Sequence, residues 1–222
     1  MQLRFSFFQI SRERNSAIKL TPLASSGKFY YQVMTLFFFT LIVNFTYAQN
    51  DFFKKLSDAA IMLTHQQVQY DPQYFVIKYP NGDVPANKGV CTDVVIRAYR
   101  KLGIDLQKEV HIDMVNHFSK YPHLWGLQRT DANIDHRRVP NLMKFFERKN
   151  AALPITTNAA SYNPGDIVCW DLGSGITHIG IVVERKSMDG KRYCIVHNIG
   201  GGQVIADCLF SYKIIGHYRF IE

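Results

Sequence analysis

Apolar residues recur at three- and four-residue spacing in the first part of the chain, which is the pattern of helices packed by one face. Residues 52–67, 94–102 and 106–118 carry such a stripe, and a fourth begins at Pro140, a residue that the first turn of a helix tolerates. Gly103 supplies a stop for the second stripe. The pattern predicts four helices in this part.

Short apolar runs separated by turns replace these stripes after Ala151. Strands are predicted at 166–170, 177–183, 192–197, 204–206 and 216–220, and a shorter strand or extended segment at 74–79. Asp189-Gly190 is typical of a hairpin turn. Helices followed by an antiparallel meander predict an α+β fold in which N-terminal helices pack on a C-terminal antiparallel sheet.

An apolar run at 33–45 precedes this domain and ends in Thr46-Tyr47-Ala48, small residues of the kind that a signal peptidase reads. The run is shorter than the ~20 residues of a transmembrane helix. We therefore predict that residues 1–48 are an N-terminal extension with a signal peptide, and that 49–222 is a single exported domain, periplasmic or secreted, with no membrane span after cleavage. The basic segment before the run is either an extended n-region or lies upstream of a start at Met34.

Composition narrows the partners of the predicted domain. Five of the 26 Lys and Arg residues and one of the 18 Asp and Glu residues lie in residues 1–48, so the formal net charge of +8 falls to +4. This mild surplus of positive charge is compatible with a protein that works near an anionic polymer, and equally with an ordinary soluble protein surface. No arginine-rich run indicates nucleic acid. The four cysteines include no Cys-x-x-Cys pair, so no metal or other cofactor is predicted; disulfide and oligomeric states stay open.

Cys91 lies in the predicted first turn of the second helix. Free backbone N–H groups and the positive end of the helix dipole favour a thiolate there, and the thiolate is the nucleophilic form of cysteine. Asp93 in the same turn raises the pKa of the thiol if its carboxylate points towards the sulfur. The alternative is that Cys91 is a small buried apolar residue.

A cysteine nucleophile needs a base and a third group that orients the base. Of the eight histidines, His178 begins an apolar, and therefore central, strand. His197 ends the next strand with Asn198 beside it. Either side chain can bond the far nitrogen of His178, because opposed residues on antiparallel strands lie roughly 5 Å apart. The alternative is a pair of structural histidines.

The order of these features resembles the NlpC-type papain-like peptidases of bacterial cell walls: a cysteine that opens a helix, Pro-Gly-Asp-Ile-Val, His-Ile-Gly-Ile-Val-Val, and a histidine that ends the next strand. Gly-Val-Cys-Thr-Asp and Asp-His-Arg-Arg resemble an exported branch of that superfamily, a family of unknown function. The resemblance implies a papain-like fold with Cys91 as nucleophile, His178 as base and His197 as orienting residue. Val90 and Thr92-Asp93 depart from the Asp-Cys-Ser-Gly of the better-known branch.

Two adjacent arginines, Arg137 and Arg138, can bind carboxylates such as those of a peptidoglycan stem peptide. The alternative is that Asp135 caps the next helix and the charges are solvated. Trp125, Trp170 and Tyr162 are candidates for lining a groove or for core packing. The predicted substrate-binding residues are Asp93, Asp135, His136, Arg137, Arg138, Trp170 and Asn198.

The sequence thus predicts an exported cysteine hydrolase that cleaves an amide bond in peptidoglycan peptides with a Cys-His-His triad. One alternative keeps the fold and changes the reaction to an acyltransferase or amidase acting on lipid or protein. The other alternative is a catalytically silent module that binds the cell wall.

Overall fold

The structure is a computed structural model that describes residues 50–222 together with 8, 9, 21, 22, 31, 34 and 35. The chain divides into two units, Met1–Ala48 and Gln49–Glu222. In the first unit, β1 (Phe8–Gln9) pairs antiparallel with β2 (Thr21–Pro22). The predicted signal sequence and its cleavage site lie outside the described residues, apart from positions 34 and 35. Among the described residues, no helix has the length and hydrophobicity needed to cross a membrane.

The second unit contains the four predicted helices. They are α1 (residues 50–63), α2 (Cys91–Lys101), α3 (Leu106–His117) and α4 (Val139–Arg148). The apolar stripe of α2, with Val94, Val95 and Ala98, is fully buried. Gly103 follows α2 with a φ of 87°, a left-handed conformation that favours glycine and closes the helix as predicted.

The sheet is built from five strands: β5 (Ile167–Asp171), β6 (Thr177–Lys186), β7 (Tyr193–His197), β8 (Val204–Ala206) and β9 (Lys213–Tyr218). Their order is β8-β7-β6-β5-β9, and every neighbouring pair is antiparallel. Strands β5 to β8 form the predicted meander. The prediction is wrong for the last strand, because β9 returns to pair with β5 at the opposite edge. The result is an α+β domain in which β6 is central.

Both faces of the sheet are covered. Side chains alternate along a strand, so Ile179 and Ile181 of β6 pack with α2 in the main core. Val182 points the other way, into a smaller core with Trp170 and Ile195. Burial on both sides therefore explains why the central part of β6 is apolar at every position, as expected for a central strand.

Of the two alternatives predicted for 74–79, a strand or an extended segment, the structure excludes the strand. Its backbone is held by side chains: Asn133 accepts from the Ile77 N–H at 2.9 Å, and Gln107 donates to the Lys78 carbonyl at 3.0 Å. A parallel ladder of β3 (Gln69–Tyr70) with β4 (Lys88–Gly89) lies in this region instead. The ladder ends immediately before the start of α2.

The segment before α4, for which solvated charges were one of the two alternatives, is largely buried. Asp135–Arg137 forms a single 3-10 turn, and all three residues are buried. Asp135 accepts a hydrogen bond from the Asp131 N–H at 2.9 Å, and Asn141 of α4 donates to the Asp135 carbonyl at 3.0 Å. The turn therefore belongs to the folded body of the domain.

Candidate functional site

Cys91 is the first residue of α2, and Val90 before it is extended, as at a helix N-cap. The Val90 N–H donates to the Asp93 carboxylate at 2.7 Å, which fixes the entry of the chain into the helix. The Cys91 side chain is 7% exposed. It nevertheless lines a groove of about 450 Å³ together with Tyr70 and Thr177.

The helix start does not produce a thiolate in this structure. Burial raises the pKa of the Cys91 thiol to about 12, and the charge of Asp93 acts in the same direction. The backbone N–H groups of Ile179, Thr92 and Cys91 itself lower the pKa, but by less than burial raises it. Burial therefore outweighs the favourable helix start, and Cys91 is a neutral thiol near pH 7, as in the alternative of a small buried residue.

His178 and His197 form a hydrogen-bonded pair. His178 Nε2 lies 2.8 Å from His197 Nδ1, and both side chains are buried. Burial, followed by the charge of His197, lowers the pKa of His178 to about 4, and burial lowers the pKa of His197. Both rings are therefore neutral near pH 7. On its other side, His197 Nε2 lies 3.8 Å from the sulfur of Cys208.

Gly180 makes this close pairing of rings possible. The register pairs Ile181 with Val196, so Gly180 lies opposite His197. A Cβ at position 180 would lie 2.5 Å from an Ile195 methyl carbon and 3.2 Å from the His197 Cβ. A side chain at position 180 would therefore clash, which explains why the residue two positions after His178 is glycine.

Cys91 is not hydrogen-bonded to either histidine. Its sulfur lies at the Ile179 N–H, and Ile179 is on the helix-covered face of the sheet. His178 packs beside Trp170, with ring centroids 5.9 Å apart, at positions that alternate to the other face. Within residues 50–222, His178 Nδ1 has no hydrogen-bond partner. The structure thus brings the two histidines together and leaves the predicted thiol–imidazole bond unformed.

Asn198 does not orient His178, which corrects the alternative to His197. Its amide donates to the Gly89 carbonyl at 3.2 Å, and its oxygen accepts from the Gly200 N–H at 3.1 Å. Asn198 therefore connects the end of β7 to β4, the strand that precedes Cys91.

Asp93 and Arg137 form a buried ion pair, so the charge of each is already matched within the domain. Arg137 Nε and Nη2 each lie 3.0 Å from an oxygen of the Asp93 carboxylate, and the two side chains are 2% and 3% exposed. Arg137 also donates to the Gln73 carbonyl at 3.0 Å, and its own carbonyl accepts from the Thr92 hydroxyl at 3.1 Å. The pair fixes the start of α2 against the buried 3-10 turn.

Three further predicted substrate contacts are also interior residues. Asp135 lies 2.8 Å from His111 Nδ1, and burial raises its pKa. Burial lowers the pKa of His136 to about 3. Trp170 is 1% exposed and donates through Nε1 to the Leu209 carbonyl at 2.9 Å. None of the three lines the groove beside Cys91.

Arg138 is the predicted substrate residue that remains available. It lines the groove, and its guanidinium carbon lies 4.7 Å from the centre of the Trp125 ring. Sequence reasoning missed Tyr70, Thr177 and Cys208. Thr177 could have been found from the sequence, because it directly precedes His178 in a predicted strand. Nothing in the sequence pointed to Tyr70 or Cys208.

The protein is an α+β domain in which a cysteine begins a helix packed on the sheet and two buried histidines are paired on adjacent strands. Residues 57–220 match the family described as "Domain of unknown function (DUF1287)", and the chain belongs to this family. It is 47% identical over 165 residues to "Uncharacterized protein YijF" of Escherichia coli (strain K12), across 74% of this chain and 80% of that protein. The family match spans Cys91, His178, His197 and Arg138.

Proposed function

We propose that the protein is an exported cysteine hydrolase of the NlpC-type papain-like kind, which cleaves an amide bond in peptidoglycan peptides. The observation that carries this proposal is the 2.8 Å hydrogen bond between His178 Nε2 and His197 Nδ1. When His178 Nε2 donates its proton to His197, the lone pair of His178 is on Nδ1, the ring nitrogen without a partner. That tautomer is the one that a general base requires.

In this mechanism, the Cys91 sulfur attacks the amide carbonyl carbon while His178 Nδ1 takes the thiol proton. The C–N bond then breaks, and His178 gives that proton to the leaving amine. Water, deprotonated by His178, then attacks the thioester carbonyl carbon; the C–S bond breaks, the sulfur takes the proton back from His178, and a carboxylic acid is released. The Cys91 N–H lies in the first helical turn, where no helical carbonyl accepts it, and can donate to the oxyanion.

A neutral thiol beside a neutral imidazole is consistent with a proton transfer that accompanies attack. The pKa of Cys91 is about 12 and that of His178 about 4, so an ion pair is not the resting state. The mechanism also requires the sulfur to leave the Ile179 N–H and approach His178. Because the two groups lie at different faces of β6, this approach requires a new rotamer of Cys91 together with a shift of the start of α2.

Purified protein incubated with muropeptides tests the proposal, with released amines and product masses as the readout. We expect cleavage by the parent protein, none by Cys91→Ala, and cleavage by Cys194→Ala. Cys194 is the matched control because it has the same 7% exposure as Cys91 but lies in β7. Identical product profiles from the parent and Cys91→Ala would refute the proposal.

The burial of Cys91 supports a second candidate, a catalytically silent module that binds the cell wall. A thiol with a pKa of about 12 suits a packing residue as well as a resting nucleophile. In that case, the parent and Cys91→Ala bind isolated peptidoglycan equally and neither releases product.

A further inference from the structure

The groove beside Cys91 is positively charged. Among residues 50–222, its charged lining residues are Arg137 and Arg138, and no Asp or Glu side chain lines it. Two helices also begin at its wall: α2 starts at Cys91, and α4 starts at Val139 with Arg138 as its N-cap. The positive ends of both helix dipoles therefore add to the charge of the arginines.

The two arginines differ in whether their charge is already matched. Arg137 is neutralised by the buried Asp93 carboxylate. The side chain of Arg138 makes no hydrogen bond and no ion pair within residues 50–222, and its Nη1 is buried without an acceptor. A buried N–H of a charged group without an acceptor is unfavourable. An acceptor brought by a ligand removes that penalty.

Arg138 is also held in place for such a ligand. Its guanidinium carbon lies 4.7 Å from the centre of the Trp125 ring, a side chain that is 66% exposed. This contact is not a hydrogen bond, so the N–H donors of Arg138 remain without an acceptor within residues 50–222. Carboxylates match this planar fork with two parallel hydrogen bonds.

From these observations we infer that Arg138 binds a carboxylate of the substrate that Cys91 cleaves, so the substrate class is an acidic peptide with a free carboxylate near the scissile amide. The inference rests on the proposed function of the groove, but the binding step can be measured without turnover. It corrects the prediction that both arginines contact substrate, since Arg137 is structural.

The test is calorimetric titration of the full chain carrying Cys91→Ala with two ligands. One is a peptidoglycan stem peptide with free carboxylates, and the other is the same peptide with its carboxylates converted to carboxamides. We expect the acid form to bind about tenfold to a hundredfold more tightly, as for one charge-assisted hydrogen-bonded pair. Adding Arg138→Gln should abolish that preference.

Arg185→Gln is the matched control, because it removes the same charge at an exposed residue of β6 roughly 23 Å beyond His178. The preference for the acid form should survive this change. Arg138→Lys keeps the charge and loses the fork, so it should retain part of the preference, and it serves if Arg138→Gln does not fold.

Equal binding of the two peptides, no binding of either, or an undiminished preference in both Arg138 variants would overturn the inference. Failure of the proposed function is a separate result. If the acid form binds through Arg138 but the protein with Cys91 intact cleaves neither peptide, the carboxylate site stands and the hydrolase proposal falls.

Discussion

The buried pair of Asp93 and Arg137 gives the sharpest prediction for stability. We expect Arg137→Met to lower the free energy of unfolding by about 3–5 kcal/mol, because it leaves a buried carboxylate without its cation. The Asp93 carboxylate accepts three hydrogen bonds, two from Arg137 at 3.0 Å and one from the Val90 N–H at 2.7 Å. Only the last survives the change.

Urea unfolding followed by circular dichroism measures this loss. With a denaturant slope of about 2 kcal/mol per molar, the midpoint should fall by about 1.5–2.5 M. The double variant Arg137→Met with Asp93→Asn should be less destabilised than the sum of its single changes, since neither charge is then left alone.

Lys54→Met is the control, because Lys54 pairs with Asp58 at 3.0 Å but the two side chains are 60% and 50% exposed. An exposed pair contributes less than about 1 kcal/mol. If Arg137→Met also lowered the free energy of unfolding by less than about 1 kcal/mol, the view that the pair anchors the start of α2 would be refuted.

Three further predictions follow. Burial lowers the folded-state pKa of His178 to about 4 from an ordinary value of 6.5, so its contribution to stability is full above pH 6.5 and is lost as pH falls through 4. Between pH 8 and pH 4, the free energy of unfolding measured in urea should therefore fall by on the order of 3 kcal/mol. The fall should be smaller in His178→Asn. Gly180→Ala should destabilise the domain by about 1–3 kcal/mol through overpacking against Ile195, and an unchanged melting temperature would contradict this. In the free protein, iodoacetamide at pH 8 should alkylate Cys91 at least a hundredfold more slowly than free cysteine, because the thiol pKa is about 12; an equal rate, read by mass spectrometry, would contradict the burial argument.

The sequence predicts the fold where local pattern decides it. The stripe of Val94, Val95 and Ala98 and the stop at Gly103 locate α2 because helix face and helix end are both local features. The edge occupied by β9 depends on which strand it pairs with, which periodicity does not encode. Residues 74–79 look like a strand, but they lack a partner strand and are bonded by side chains instead.

The same limit applies to the site. His178 and His197 were predictable as a pair because adjacent strands bring them together. The sequence does not distinguish the roles of Arg137 and Arg138. Only the fold shows that Asp93, 44 residues earlier, neutralises Arg137. The charge state of Cys91 was not predictable either, because the dipole is a local property and burial is not.

The most direct test of the central claim is to trap the acyl intermediate. The protein is mixed with muropeptide, quenched in acid within the first turnovers and digested, and the cysteine-containing peptides are weighed by mass spectrometry. The account predicts an acyl thioester on Cys91 that is absent from His178→Ala. Product formed while Cys91 stays unmodified, or an acyl group found instead on Cys208 beside His197, would contradict it.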